Sequence, residues 1–283
     1  MKVSITFDRL RWEEKALSEA AEAAGLDASL VDSKGLIFGI PGNRPDMGDV
    51  VLQRCISHYR SSTLTLMLEG SGLKVINSYA VAETCSNKLA TSIALANAGI
   101  PTPRTYLALT AEAAEEAAEK LGYPLVLKPF TGSWGRMVTV VRDRSTLQSL
   151  AEYKEELANP QEQHMYYLQE YVKRPPRDIR AIVAGESIIA CVHRIAPPGE
   201  WRTNVARGAV SKAFKPDAEL KEVILKAAEA VGGGILGVDA MEPESGYMVH
   251  EVNNTVEFKG AQSAVETDIP AQLIKYVAQV GRR

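Results

Sequence analysis

Gly237-Val238-Asp239-Ala240 and His250-Glu251-Val252-Asn253, separated by the turn-like Pro243-Glu244-Ser245-Gly246, decide how this chain is read. Both flanks carry strand-forming residues around turn formers, which predicts a β-hairpin. Side chains alternate along a strand, so Glu251 and Asn253 share a face. A turn centred near Ser245 sets Asp239 opposite Glu251. Carboxylates opposed across a ladder repel and weaken the sheet, and a cation between them removes that repulsion. Asp239, Glu251 and Asn253 are hard oxygen donors, suited to Mg²⁺ rather than Zn²⁺. Magnesium held by so few protein groups commonly carries phosphates as well. Acidic residues in hairpins are usually just solvated. Here they adjoin the apolar runs Gly234-Ile235-Leu236-Gly237-Val238 and Met248-Val249, which argues against simple solvation.

Three units are expected. Residues 1–85 alternate strands (2–7, 49–54, 72–77) with helices (11–24, 62–69), the pattern of a parallel α/β layer. Residues 86–172 open on a helix N-capped by Ser86. They continue through a helix at 111–121 and another at 145–157, with strands at 124–130, 137–142 and 165–172. After Pro175-Pro176, residues 173–283 become strand-rich (179–183, 187–193), with a loop at 196–209, a helix at 218–230, the opening hairpin and a last helix at 269–280. The fold class is α/β in the first unit and α+β with antiparallel strands in the rest.

Composition excludes several functions. The chain has 283 residues, 46% hydrophobic and 24% charged, as in soluble globular proteins. A net charge of −3 offers no broad basic surface for nucleic acid. Cys55, Cys85 and Cys191 are odd in number and widely spaced, so neither a disulfide framework nor a zinc knuckle is expected. No apolar run approaches the ~20 residues of a membrane span, and the N-terminus reads as a strand rather than a signal peptide. The expected compartment is the cytoplasm.

The remaining candidates lie in chain order. Arg54, Ser57 and His58 follow a strand, where open α/β sheets bind ligands. Lys88 sits in the first turn of a helix, where a cation is unfavourable unless an anion binds beside it. Lys128 lies in the apolar strand Pro124-Leu125-Val126-Leu127-Lys128-Pro129, and a buried charge needs a partner. Four residues later begins the strand-to-strand loop Gly132-Ser133-Trp134-Gly135-Arg136. It lacks the strand-to-helix setting of a Walker or Rossmann turn, but its N–H groups can cradle an anion. Alone it reads equally as a hairpin turn. Gln169-Glu170-Tyr171-Val172 offers backbone groups to a base edge. Asp178 and Arg180 share a strand face, as ribose contacts or as a surface ion pair. Arg194, Arg202, Asn204 and Arg207 concentrate planar donors suited to carboxylate or phosphate. Asn254, Thr255, Glu257 and Lys259 follow the hairpin as pocket candidates. The ordered set reads as an ATP–Mg²⁺ site between two lobes.

This order resembles the ATP-grasp superfamily over essentially the whole chain, and within its RimK-like branch the LysX/ArgX family. The resemblance is carried by Arg54-Cys55-Ile56-Ser57, Asn87-Lys88-Leu89-Ala90-Thr91, Lys128-Pro129 with Gly132-Ser133-Trp134-Gly135-Arg136, Gln169-Glu170-Tyr171-Val172, Arg177-Asp178-Ile179-Arg180, Thr203-Asn204-Val205-Ala206-Arg207-Gly208 and Glu251-Val252-Asn253-Asn254-Thr255-Val256-Glu257-Phe258-Lys259. It implies an ATP-grasp fold, with an N-terminal domain and two lobes, and an ATP-dependent carboxylate–amine ligase. ATP would phosphorylate the C-terminal Glu side chain of a small acidic LysW-type carrier protein. The α-amino group of α-aminoadipate or glutamate would attack that acyl phosphate. By the same resemblance Lys88, Lys128 and Gly132–Arg136 would hold the phosphates, Gln169–Val172 the adenine, and Asp178 with Arg180 the ribose side. Asp239, Glu251 and Asn253 would hold Mg²⁺. Arg194, Asn204 and Arg207 are the catalytic candidates; Arg54, Ser57, Arg202, Asn254, Thr255, Glu257 and Lys259 face substrate. Family members also self-associate, implying a homodimer or homotetramer. Pro197-Pro198-Gly199-Glu200-Trp201-Arg202 is closer to ArgX-type chains and Asn254-Thr255 to LysX, so both amino acids stay open. A RimK-type glutamate ligase with another acceptor, and a nucleotide-binding module without turnover, are the rival readings.

Overall fold

The computed structural model describes residues 1–42, 45–132, 135–157 and 164–282. The first layer comprises β1 (Lys2–Phe7), α1 (Trp12–Ala23), β2 (Asp27–Asp32), β3 (Val50–Gln53), α2 (His58–Gly70) and β4 (Lys74–Ile76). Its strands are parallel, in the order β2-β1-β3-β4. All four residues of β3 are buried, as in a sheet covered on both faces. The edge strand β2 is missing from the sequence reading because its burial is only partial and its ends are aspartates.

Two helices follow, α3 (Tyr79–Ser86) and α4 (Lys88–Asn97). Ser86 does not cap α4 as expected. It ends α3, its hydroxyl donating to the Glu83 carbonyl, and Asn87 caps instead: Asn87 Oδ1 accepts from the N–H groups of Leu89 and Ala90. Although α4 falls within the span 86–172, it packs on the third sheet, with Leu95 in one core with Leu220 and Val252.

The second sheet holds β5 (Thr105–Ala108), β6 (Leu125–Lys128), β7 (Thr139–Val141) and β8 (Tyr166–Glu170), antiparallel in the order β5-β8-β6-β7. One face is covered by α5 (Ala111–Leu121) and α6 (Arg144–Leu157). The third sheet holds β9 (Arg177–Ala184), β10 (Ser187–Ile195), β11 (Val210–Ala213), β12 (Ile235–Met241) and β13 (Met248–Asn253), in the order β11-β10-β9-β12-β13. Helix α7 (Ala218–Ala230) packs on one face. After α8 (Lys259–Gln262), α9 (Ile269–Arg282) returns to the first layer, so Leu273 and Val277 share a core with Val3, Leu17 and Val192.

A buried amide ties the first and third sheets together. Asn77 Nδ2 donates to the carbonyls of Ile235 (2.7 Å) and Asn254 (2.8 Å), and Oδ1 accepts from the Ile235 N–H (2.7 Å). Gly234 makes this possible: its φ is +107°, and a Cβ there would lie 2.1 Å from Asn77 Oδ1. Asn77→Ala is expected to cost about 2–4 kcal/mol in urea unfolding, because three hydrogen bonds are lost beside buried backbone. A loss under about 0.5 kcal/mol would show that the strut is dispensable.

Candidate active site

The register expected of a turn near Ser245 is the observed one: Asp239 pairs with Glu251 and Gly237 with Asn253. The carboxylate repulsion is answered differently from the expectation, by side-chain cations. Asp239, 1% exposed, receives Arg180 Nε and Arg180 NH2 (2.7 Å), Arg194 NH2 (3.1 Å) and Asn253 Nδ2 (3.4 Å). Burial alone would raise its pKa, but the two guanidiniums overcome this and hold it below the ordinary carboxylate range. Glu251 likewise titrates low: burial opposes this, and Lys88, 3.3 Å away, prevails. The donor set fits Mg²⁺ chemically, since two carboxylates and an amide oxygen sit on one face of neighbouring strands. Among the described residues, no cluster of three or more His, Cys, Asp or Glu offers a rival site.

Lys88 links three elements. It is the first residue of α4, and its Nζ donates to the Gly132 carbonyl at 2.8 Å as well as meeting Glu251. Lys128 has the partner that its buried strand demands, a neutral one: Nζ donates to Gln169 Oε1 at 2.6 Å. Burial lowers its pKa to about 8, with Glu251 opposing. The Gln169 side chain is therefore committed, since Nε2 also donates to Thr105 Oγ1 and Tyr167 Oη. The backbone of 169–172 stays available to a ligand of the first cavity, which these residues line. Glu170 pairs with Arg104 at 2.8 Å, and Tyr171 tilts against Trp201.

Two cavities flank this face. The first, about 250 Å³, is lined by Val126, Lys128, Val138, Gly135, Arg136, residues 169–172, Asp178, Met241 and His250. The second, about 910 Å³, is lined by Arg11, Trp12, Glu13, Cys85, Arg180, Asn253, Asn254, Thr255, Glu257 and Lys259. Lys88, Gly132, Arg194, Asn204 and Glu251 line both, so the cavities meet beside the Asp239–Glu251 pair.

The expected residues divide accordingly. Asn254, Thr255, Glu257 and Lys259 all line the second cavity. Arg54 does not: it is 2% exposed and spent on Glu14 and the Val256 carbonyl. Ser57 caps α2 by accepting from the Arg60 N–H. Arg202 borders the first cavity, clamped by Glu200. Arg180 lines the second cavity and not the first, held there by Asp239. Asp178 lines the first cavity; Arg194 chelates it at 2.8 and 2.6 Å and the Thr203 hydroxyl donates to its Oδ2, so Oδ1 accepts from Arg194 alone and keeps acceptor capacity. Arg207 lines neither cavity. Its NH2 donates to the Gly135 carbonyl at 3.1 Å, latching the 196–209 loop to the glycine loop. Ser133 and Trp134 lie outside the described residues.

The latch needs glycine. Gly135 has φ +64°, and a Cβ would stand 2.6 Å from Asn204 Oδ1. Gly135→Ala is expected to lower kcat/KM about 10²-fold by prising the loops apart, with little change in urea midpoint. Unchanged kcat/KM would mean the loops need not close.

Sequence reasoning missed Arg11, Glu13, Glu14, Met241 and His250. Glu14 is fully buried, held by Arg11 at 2.7 Å and Arg54 at 3.2 Å. Three-residue spacing between Arg11 and Glu14 was a visible signal; that their helix turns this pair inward was not.

The RimK-like ATP-grasp domain family matches residues 85–277, and the LysX preATP-grasp domain family matches residues 3–84. The chain belongs to the RimK-like ATP-grasp family. It is thus an ATP-dependent ligase forming a C–N bond, and ATP-grasp ligases in general use ATP with Mg²⁺. It is 36% identical over 282 residues to the glutamate–LysW ligase ArgX of Sulfurisphaera tokodaii, covering 99% of each chain. It is also 36% identical over 283 residues to the α-aminoadipate–LysW ligase LysX of the same organism, again covering 99% of each. Among solved structures, the RimK-domain ATP-grasp protein of Sphaerobacter thermophilus superposes with TM-score 0.78 at 26% identity, covering 98% of this chain and 100% of the other. D-alanine–D-alanine ligase of Bacillus anthracis (TM-score 0.73, 18% identity, 100% and 98% covered) shares the fold. Among the described residues no helix of this ATP-grasp ligase is long and apolar enough to cross a membrane.

Proposed function

We propose that this ligase joins the α-amino group of α-aminoadipate to the C-terminal Glu side chain of a LysW-type carrier through an acyl phosphate, with glutamate as the alternative amine. The observation that carries the reading is the meeting of two cavities at Lys88, Arg194, Asn204 and Glu251. A nucleotide in the first cavity would lie with its base between Val126 and Met241, its edge on the 169–172 backbone. Its phosphates would reach Lys128, Lys88 and the Gly132–Arg136 loop. The carrier carboxylate and the amine would enter from the second cavity, whose 910 Å³ is in the about 300–1,000 Å³ range of drug-sized ligands and leaves room for a polypeptide end.

Phosphoryl transfer demands positioning and charge neutralisation more than covalent participation. Lys88 and Lys128 would orient the transferring phosphoryl group, and Arg194 and Asn204 would face it from the acceptor side. Mg²⁺ held by Asp239, Glu251 and Asn253 would neutralise phosphate charge. Arg180 and Arg194 keep Asp239 ionised, and their bonds to it would have to yield for that cation to bind. Asn254, Thr255, Glu257 and Lys259 would contact the amino dicarboxylate. A cytoplasmic setting and association into a homodimer or homotetramer belong to the same reading.

The test mixes enzyme, ATP, Mg²⁺ and carrier with each amino acid and follows the carrier's mass. A gain of one aminoadipoyl or glutamyl residue with ADP release is expected. No gain with either acid overturns the reading, and gain on a carrier-free acceptor would favour the RimK-type alternative.

A further inference from the structure

His250 stands outside every role assigned above. It is the extra residue of a β-bulge: Asp239 pairs with Glu251, but Ala240 pairs with Val249. Bulges re-aim side chains beside functional sites, and here the imidazole lines the first cavity. Its side chain is 14% exposed, and its Nε2 is buried with no hydrogen-bond partner. Asp178 Oδ2 stands 3.9 Å away, too far to bond, and already accepts from Arg194 and Thr203. A buried polar atom left unmet costs about 1–3 kcal/mol, and such exceptions in native folds call for a reason.

The surroundings name the missing group. The lining includes Val126, Val138 and Met241, apolar surfaces suited to a flat base. One residue along β13 from His250 lies Glu251, on the face proposed to hold the metal. A nucleotide bound across this span places its sugar between them. The hydroxyls of a ribose both donate and accept, so either tautomer of the imidazole can be satisfied.

We propose that His250 Nε2 hydrogen-bonds a ribose hydroxyl of the bound nucleotide, making His250 a positioning residue for the triphosphate. The inference rests on the nucleotide occupying the first cavity, as under the proposed function. ATP, 2′-deoxy-ATP and 3′-deoxy-ATP are titrated into the full-length wild type, His250→Leu, His250→Gln and Lys128→Met, reading Kd by calorimetry. His250→Leu is expected to weaken ATP about tenfold while leaving one of the two deoxy nucleotides unaffected, since that analogue lacks the partner. His250→Gln, which keeps a polar end, should recover part of the ATP affinity. Equal weakening of all three nucleotides by His250→Leu, or none, overturns the ribose contact while leaving the nucleotide site standing, provided Lys128→Met still weakens ATP. Absence of ATP binding by the wild type, or indifference to Lys128→Met, overturns the cavity assignment itself and the inference with it.

Discussion

Asp239→Asn and Glu251→Gln are expected to lose turnover together, each by about 10²–10³-fold, and to differ sharply in stability. Both remove one negative donor from the face proposed to hold Mg²⁺, so under that proposal both leave phosphate charge poorly neutralised. Their folded-state partners differ. Asp239 is 1% exposed and is the carboxylate that pairs with Arg180, while it shares Arg194 with Asp178. Removing one partner of a buried ion pair costs about 3–5 kcal/mol, because the charge left behind is uncompensated. Glu251 is 25% exposed and meets Lys88, which has the Gly132 carbonyl in reserve. Its loss should cost no more than about 1 kcal/mol. Urea unfolding and steady-state kinetics on the same preparations separate the two effects. Near-normal turnover of Glu251→Gln would sink the metal assignment. Equal stability losses would instead show that the arginines do not depend on Asp239.

The KM for ATP should stay flat below pH 8 and climb above it by up to tenfold per unit. Burial depresses the Lys128 pKa to about 8, so the free enzyme carries the ammonium below that pH and the amine above it. A triphosphate is held by the charged form, so affinity falls as pH rises. The bound triphosphate in turn stabilises the ammonium and shifts its titration upward. Turnover at saturating ATP should therefore be insensitive over the interval where KM climbs. Lys128→Met should raise KM about 10²-fold by removing a charge-assisted hydrogen bond, and erase the step near pH 8. Lys128→Arg, charged throughout, should erase the step with a smaller loss. A wild-type KM flat through pH 9 would exclude Lys128 as the phosphate contact.

Local patterns carried much of the architecture. The helix at 111–121 and that at 218–230 are found where helical spacing and flanking glycine or capping residues put them. The hairpin register follows from turn residues and side-chain alternation, which suffice to set Asp239 opposite Glu251. The short edge strands β2 and β11 lacked that alternation, because edge strands are half-solvated and carry polar residues on both faces.

Sequence by itself determined which residue types are present in which order: a buried-strand lysine, a glycine loop, and an acid–acid–amide hairpin. That order suffices for the family because each feature is local to one element. Only the tertiary structure decided how side chains are shared. It gave Asp178 to Arg194, Gln169 to Lys128 and Arg54 to Glu14, and it left His250 Nε2 without a hydrogen bond beside the first cavity. Each of these pairings except Arg54–Glu14 joins neighbouring strands of a single sheet, and Arg54–Glu14 joins a strand end to a helix. Hydrogen-bonding capacity is settled by such through-space neighbours, which spacing along the chain does not specify.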